Sequence, residues 1–266
     1  MKYVRVIAEG LDANGNYGIL DGNEIHVIKK SPLISSPETT GIRIHVGEVK
    51  RYLPPVEAHN IIALGLNYRE HAKESKMELP PAPVIFLKSI TAIIGHLQDI
   101  ILPAEAPDFV DYEAELTIVI GSRAKNVTEE ESPAHILGYT CGNDVSARDC
   151  QMKLDKQWAR AKSFDTFAPV GPCIVTDVDP DNLRISSRVN GIIMQDSNTS
   201  DMIFSTAKIV SYLSRQMTLL PGTLIMTGTP SGVGFAREKP VFLRGGDTVE
   251  IDIQDVGILK NSVVRE

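Results

Sequence analysis

The segment DYEAELTIVIG, residues 111–121, constrains this chain more than any other stretch. Leu116, Ile118, Val119 and Ile120 are apolar and mostly β-branched, and Gly121 ends the run, which reads as a strand. Alternate side chains on a strand share a face, so Asp111, Glu113 and Glu115 are expected on one side. Three neighbouring carboxylates repel, and a buried cluster stays ionised only against a counter-charge. A divalent cation meets that need. Oxygen ligands without His or Cys suit a hard ion such as Mg²⁺, Mn²⁺ or Ca²⁺ rather than zinc. Asp144, in the next ordered segment (CGNDVSARD), offers a third ligand. A solvated edge strand with an acidic outer face would need no ion at all, and the E-x-E pair alone does not decide between the two.

Composition bounds the rest. The chain has 266 residues, 42% hydrophobic and 23% charged, as in an ordinary globule of one large domain or of a small plus a larger one. A net charge of −7 excludes bulk nucleic acid as a partner, since phosphate contact needs a basic surface. Three cysteines without a C-x-x-C pair argue against a disulfide framework. The opening MKYVRVIAEG has too short an apolar run for a signal peptide, and no stretch reaches the roughly 18 apolar residues of a membrane span. A cytoplasmic location is expected.

Residues 1–57 read as a small β-rich domain, with a strand in YVRVIAEG and a hairpin turning at Asp21 and Gly22. The Ser/Pro/Thr-rich stretch after it, through Pro54 and Pro55, reads as a linker into a main domain of residues 58–266. There, residues 61–64 form a strand, followed by a short, weakly amphipathic helix on which His71 and Glu74 share a face. Few core contacts would hold that helix, so it could open and close. Lys88, between two apolar runs, reads as a turn residue. Thr128 and Glu131 have capping-box spacing and predict a helix ending near Gly138. SARDCQMKLDKQW is predicted helical, with Arg148 and Gln151 one turn apart. Together with Lys162, at the start of a loop, they could clamp a small carboxylate. An ordinary pairing of Arg148 with Asp149 or Asp155 is the plainer alternative. Asn190-Gly191 predicts a hairpin, residues 205–216 a packed helix, and residues 248–253 the start of a last hairpin. TLIMTGTPSGVGF lacks GK[ST], so its glycines do not make a nucleotide site. Its amides and the Thr229 hydroxyl could still hold a carboxylate.

Six motifs stand in one order: GLNYREHAKE, PVIFLKS, DYEAELTIVIG, GNDVSARDCQ, WARAKSFDTFAPVGP and LIMTGTPSGVG. They resemble the catalytic domain of the fumarylacetoacetate hydrolase family over roughly residues 58–266. The resemblance implies an α+β, mainly β fold, a mixed β-roll or sandwich behind the small N-terminal domain, and a homodimer. It implies one Mg²⁺ or Mn²⁺ held by Glu113, Glu115 and Asp144. A His71–Glu74 dyad on a mobile helix and Lys162 beside the metal would be catalytic, and Arg148, Gln151 and Thr229 would contact a substrate carboxylate. Asp111 matches no ligand position in the family. The implied substrate is a 2-oxo acid, and the implied chemistry is a metal-stabilised enolate. The reading taken from the dyad is hydrolysis of a C–C bond in an acylpyruvate such as fumarylpyruvate. Oxaloacetate decarboxylation and isomerisation of 2-hydroxyhepta-2,4-diene-1,7-dioate are the alternatives, with a non-catalytic metal- or 2-oxo-acid-binding protein as the reading from another class. Neither Cys141 nor Cys150 has the spacing of an activated nucleophile.

Overall fold

The computed structural model describes residues 1–155 and 157–266. Most of the ordered backbone is strand, arranged in two sheets packed on each other, as the expected sandwich requires. The larger sheet has twelve strands. Its path runs from the edge strand Thr39–His45 through Glu24–Ile28, Asn16–Asp21 and Lys2–Ala8 to Ala168–Val175. It continues through Ile136–Asn143, Ala114–Ile120, Thr223–Met226 and Asn60–Leu64 to the other edge, Ile85–Lys88. The N-terminal strands thus extend the sheet of the later residues, through the pairs Lys2 with Val175 and Tyr3 with Ile174.

The second sheet orders Ile192–Asn198, Arg184–Val189, Thr248–Ile253, Gly257–Arg265 and Ile100–Leu102, and packs against the central strands of the first. Ala114–Ile120 is consequently buried at every residue, so Glu115 and Thr117 are polar groups inside a core strand. That placement decides the question left open by sequence. The acidic strand is not a solvated edge.

Several expectations hold and others shift. Asn190 and Gly191 have φ of 52° and 79° and turn the Arg184–Val189/Ile192–Asn198 hairpin as a type I′ pair. The first hairpin turns one residue later than Asp21 and Gly22. Asp21 pairs with Glu24, and the corner is Gly22-Asn23 with positive φ at Gly22 only, a type II′ turn. The stretch read as a linker carries two strands, Thr39–His45 and Val49–Tyr52, because its β-branched residues suffice for a sheet margin even with six of seven side chains exposed in the first. The capping-box bonds at Thr128 and Glu131 form, at 2.8 and 3.2 Å, without the helix they predict. Only a 3₁₀ turn, Ser132–His135, follows, because Ile136–Asn143 is drawn into the sheet beside Ala114–Ile120. Tertiary pairing outweighs a local signal there.

Candidate active site

The site lies where the strand Ala114–Ile120 begins. Glu113 and Glu115 flank Ala114, and Asp144 follows the end of the neighbouring strand Ile136–Asn143. Antiparallel pairing of Ala114 with Asn143 therefore puts the three acids side by side, with ligand oxygens within 4.8 Å of one another. Asp111, predicted on the same face, turns aside instead. Its short strand, Val110–Asp111, pairs with Ser146–Ala147, and the irregular residues 112–113 break the alternation before Glu113.

Three cations surround these acids. Lys162, the last residue of the helix Trp158–Lys162 rather than a loop start, donates to Glu113 Oε2 at 2.9 Å and Asp144 Oδ2 at 2.6 Å. Arg148 donates from Nε to Asp111 at 2.8 Å, from Nη2 to Glu113 Oε1 at 2.6 Å and from Nη1 to Gln151 at 2.7 Å. It pairs with neither Asp149 nor Asp155. The third cation is Lys88. Far from a turn, it closes the strand Ile85–Lys88 with its side chain fully buried, donating to Asp144 Oδ1 and to the Phe167 carbonyl at 2.8 Å. A charged residue within the apolar run VIFLKS was the only sequence sign of this.

The acids titrate differently because the cations are unequally shared. Burial pushes the Glu113 carboxyl up, but Lys162 and Arg148 outweigh it and hold it at about 2. Burial, with Asp144 and Glu113 adding repulsion, drives Glu115 well above the usual carboxylate range. Burial works against the Lys162 ammonium as well, yet Asp144 and Glu113 raise its pKa, so it stays charged. Glu115 is the odd group. Its Oε2 accepts from Gly228 N at 2.8 Å, and among the described residues its buried Oε1 has no partner. A buried carboxylate oxygen left unpaired beside two other acids is where a divalent cation fits, and the all-oxygen donor set suits a hard one.

Above the acids is a cavity of about 220 Å³, lined by His71, Glu113, Arg148, Gln151, Lys162 and Thr229 among apolar walls that include Phe86, Trp158 and Phe235. It gathers six of the nine site residues expected from sequence, with Glu115 and Asp144 beneath. Glu74 is held just behind. The His71 Nδ1 contacts Glu74 Oε2 at 3.0 Å on the helix Arg69–Glu74, and both Glu74 oxygens accept from Gly232 N, at 2.9 and 3.1 Å. A carboxylate on Nδ1 sets the neutral tautomer with the proton there, which leaves Nε2 as the basic nitrogen.

The glycine-rich loop does hold carboxylates, but they are the protein's own. Gly228 N serves Glu115, Gly232 N serves Glu74, and Gly234 N and Phe235 N serve Asp111 at 2.8 and 3.0 Å. Thr229 donates its hydroxyl to the Ala114 carbonyl at 2.9 Å and accepts from Gln195 Nε2 at 2.8 Å. It therefore faces a ligand with an acceptor lone pair and no free proton. Gln195 fixes this corner, and its strand position gave no sequence signal. The cysteines are buried free thiols whose pKa values burial pushes upward, the opposite of an activated nucleophile.

A two-sheet scaffold with a His–Glu pair over a buried triad of acids carries the residue types of an enzyme, and the triad could hold a metal ion. The family model "Fumarylacetoacetate (FAA) hydrolase C-terminal" matches residues 60–264, and a second, "Rv2993c-like, N-terminal", matches residues 1–55. The chain belongs to the fumarylacetoacetate hydrolase family. It is 45% identical over 221 residues to the mitochondrial oxaloacetate tautomerase FAHD2A of Bos taurus, covering 82% of this chain and 70% of the relative. Among solved structures, a 2-hydroxyhepta-2,4-diene-1,7-dioate isomerase from Mycobacterium marinum superposes with a TM-score of 0.88 at 43% identity, covering 100% of this chain and 99% of the other. A fumarylacetoacetate hydrolase from Exiguobacterium antarcticum superposes with a TM-score of 0.89 at 33% identity, with both chains fully covered. No helix among the described residues is long and apolar enough to cross a membrane.

Proposed function

We propose that this protein interconverts the keto and enol forms of a 2-oxo dicarboxylic acid, oxaloacetate or a 2-hydroxy-diene diacid, with Mg²⁺ or Mn²⁺ held by Glu113, Glu115 and Asp144. The observation that carries this reading is His71, oriented by Glu74 and opening on the same cavity as Glu113 and Lys162. A bound divalent cation there supplies positive charge that favours an enolate over a ketone. His71 Nε2 takes the proton from C3, the electron pair of that C–H bond becomes the C2–C3 π bond, and the carbonyl π pair moves to the C2 oxygen. Lys162 spends two N–H groups on Glu113 and Asp144 and has its third for the developing oxyanion. Arg148 and Gln151 orient the substrate carboxylate.

The names of the relatives support a tautomerase or isomerase ahead of the acylpyruvate hydrolysis expected from the motifs. Cavity size supports it too, since about 220 Å³ lies below the ~300–1,000 Å³ of sites for drug-sized ligands and suits a four-carbon diacid. Hydrolysis is the second reading, because the same dyad could activate water.

The test follows the ultraviolet band of enol oxaloacetate and pyruvate release in parallel, with Mg²⁺, with Mn²⁺ and with chelator. Metal-dependent loss of the enol without pyruvate is the expected result, with His71→Ala slower by about 10²–10⁴-fold. Pyruvate from oxaloacetate would make the protein a decarboxylase, and pyruvate from acetylpyruvate a hydrolase. A fully active His71→Ala protein would refute the role given to the dyad.

A further inference from the structure

Asp111 is fully buried and absent from the cavity wall. Each of its oxygens accepts two hydrogen bonds. Oδ1 takes Tyr112 N at 2.9 Å and Gly234 N at 2.8 Å, and Oδ2 takes Phe235 N at 3.0 Å and Arg148 Nε at 2.8 Å. One carboxylate therefore ties Arg148 to the backbone that carries Phe235. The Phe235 ring in turn covers the guanidinium face, 4.4 Å from Arg148 Cζ to the ring centroid. The approach is close enough to exclude side chains. A Cβ on Gly234 would lie 1.9 Å from the Val241 carbonyl and 2.5 Å from Asp111 Oδ1.

Arg148 is thus fixed at its Nε edge, on its face through Phe235, and at both terminal nitrogens through Gln151 and Glu113. Three of its five N–H groups are used, which leaves one on each terminal nitrogen for a ligand in the cavity that Arg148 lines. Such a pair matches the two oxygens of a carboxylate, and a guanidinium already held in place loses little freedom when it binds one.

We propose that Asp111 is a positioning residue for substrate class: through Arg148 and Phe235 it sets the guanidinium that recognises the second carboxylate of a 2-oxo diacid. The inference rests on the function proposed above for the same site. Asp111 touches no substrate. Its effect falls on diacids and spares compounds that lack the distal carboxylate. In Asp111→Asn the side-chain amide turns a donor toward Arg148 Nε–H, while its one remaining carbonyl can serve only some of the amides.

The test compares wild type, Asp111→Asn and Phe235→Leu, each Mg²⁺-loaded. The second variant removes only the covering ring and guards against misfolding of the first. For oxaloacetate, KM is expected to rise at least tenfold in Asp111→Asn, with kcat within threefold of wild type, and about threefold in Phe235→Leu. For enol phenylpyruvate, a monocarboxylate, kcat/KM of Asp111→Asn is expected to change less than twofold. Calorimetry adds a readout independent of turnover, with oxaloacetate binding weakened at least tenfold and oxalate, which carries no distal carboxylate, within twofold. If wild type binds oxaloacetate without tautomerising it, the functional reading fails, and the two binding ratios still decide the role of Asp111. Equal losses for oxaloacetate and the compounds without a distal carboxylate, or no loss for either, overturn the inference. So does a loss of Mg²⁺ affinity, which would place the effect at Glu113.

Discussion

Replacing Lys88 by Met tests how the acid cluster is kept folded. Methionine nearly matches the lysine stem in volume, so packing changes little and the ammonium is what is lost. In the native protein that ammonium is buried against Asp144 and the carbonyls of Phe167 and Val145, the latter at 3.4 Å. Removing it leaves four acids (Asp111, Glu113, Glu115 and Asp144) facing two cations, Lys162 and Arg148. Breaking a buried ion pair by deleting one member destabilises by about 3–5 kcal/mol. In a chain of this size each kcal/mol moves Tm by roughly 2–4 °C, so the metal-free variant should melt about 6–20 °C below wild type. The assay is calorimetric or fluorimetric melting in chelator and again in saturating Mg²⁺. A divalent cation supplies the missing charge beside Asp144, so the gap between variant and wild type should narrow in Mg²⁺. A metal-free Lys88→Met protein melting within about 2 °C of wild type would refute the reasoning, because buried Asp144 would then not depend on Lys88.

Glu115→Gln should abolish the Mg²⁺-dependent rise in Tm while leaving the metal-free protein as stable as wild type or more so, since it removes a carboxylate whose charge the fold penalises. The pH dependence follows from the same residue. Its folded pKa is raised, so the metal-free protein keeps that stability at low pH and loses it as pH climbs from the ordinary carboxylate range through the raised value. Mg²⁺ binding must then release a proton, and its affinity should climb with pH over the same interval, as titration calorimetry in two buffers can show. Gly232→Ala places a Cβ 2.3 Å from the Met194 carbonyl at a φ of +99°. It should lower Tm and, by displacing the amide that holds Glu74, lower kcat more than it raises KM, which steady-state kinetics will report.

Much of this site was readable in the chain because its parts are local. The E-x-E pair, the Asp144 that ends the next strand, and the His71–Glu74 spacing are all set by short-range geometry and fall together as expected. Lys162 also reaches the cluster, although its helix was read as a loop. What escaped was long-range. Lys88 was misread as a turn residue because nothing nearby reveals that Asp144, 56 residues on, needs its ammonium. Gln195 looks like any polar strand residue until its strand brings it to Ala114 and Thr229. Asp111 lost its predicted place on the acidic face because residues 112–113 break the alternation, and its partners at 148 and 234–235 lie on separate segments. The Thr128 capping box failed the other way, as a true local signal overruled by strand pairing. Sharing one loop's amides among Glu115, Glu74 and Asp111 is likewise a property of the assembled sheets and of no motif.

The order of strands in the larger sheet also governs when the site can exist. Lys2–Ala8 finds Ala168–Val175 across more than 160 residues, and Asn60–Leu64 pairs in parallel with Thr223–Met226 from far along the chain. Pairings of such sequence separation close large loops and form slowly. Gly228 and Gly232, which hold Glu115 and Glu74, are among the last parts of the site to leave the ribosome. Until they arrive, the acids have no assembled site to offer a cation. Metal capture by these acids would therefore come late in the life of the folding chain, and added Mg²⁺ should slow unfolding while leaving the rate of refolding unchanged.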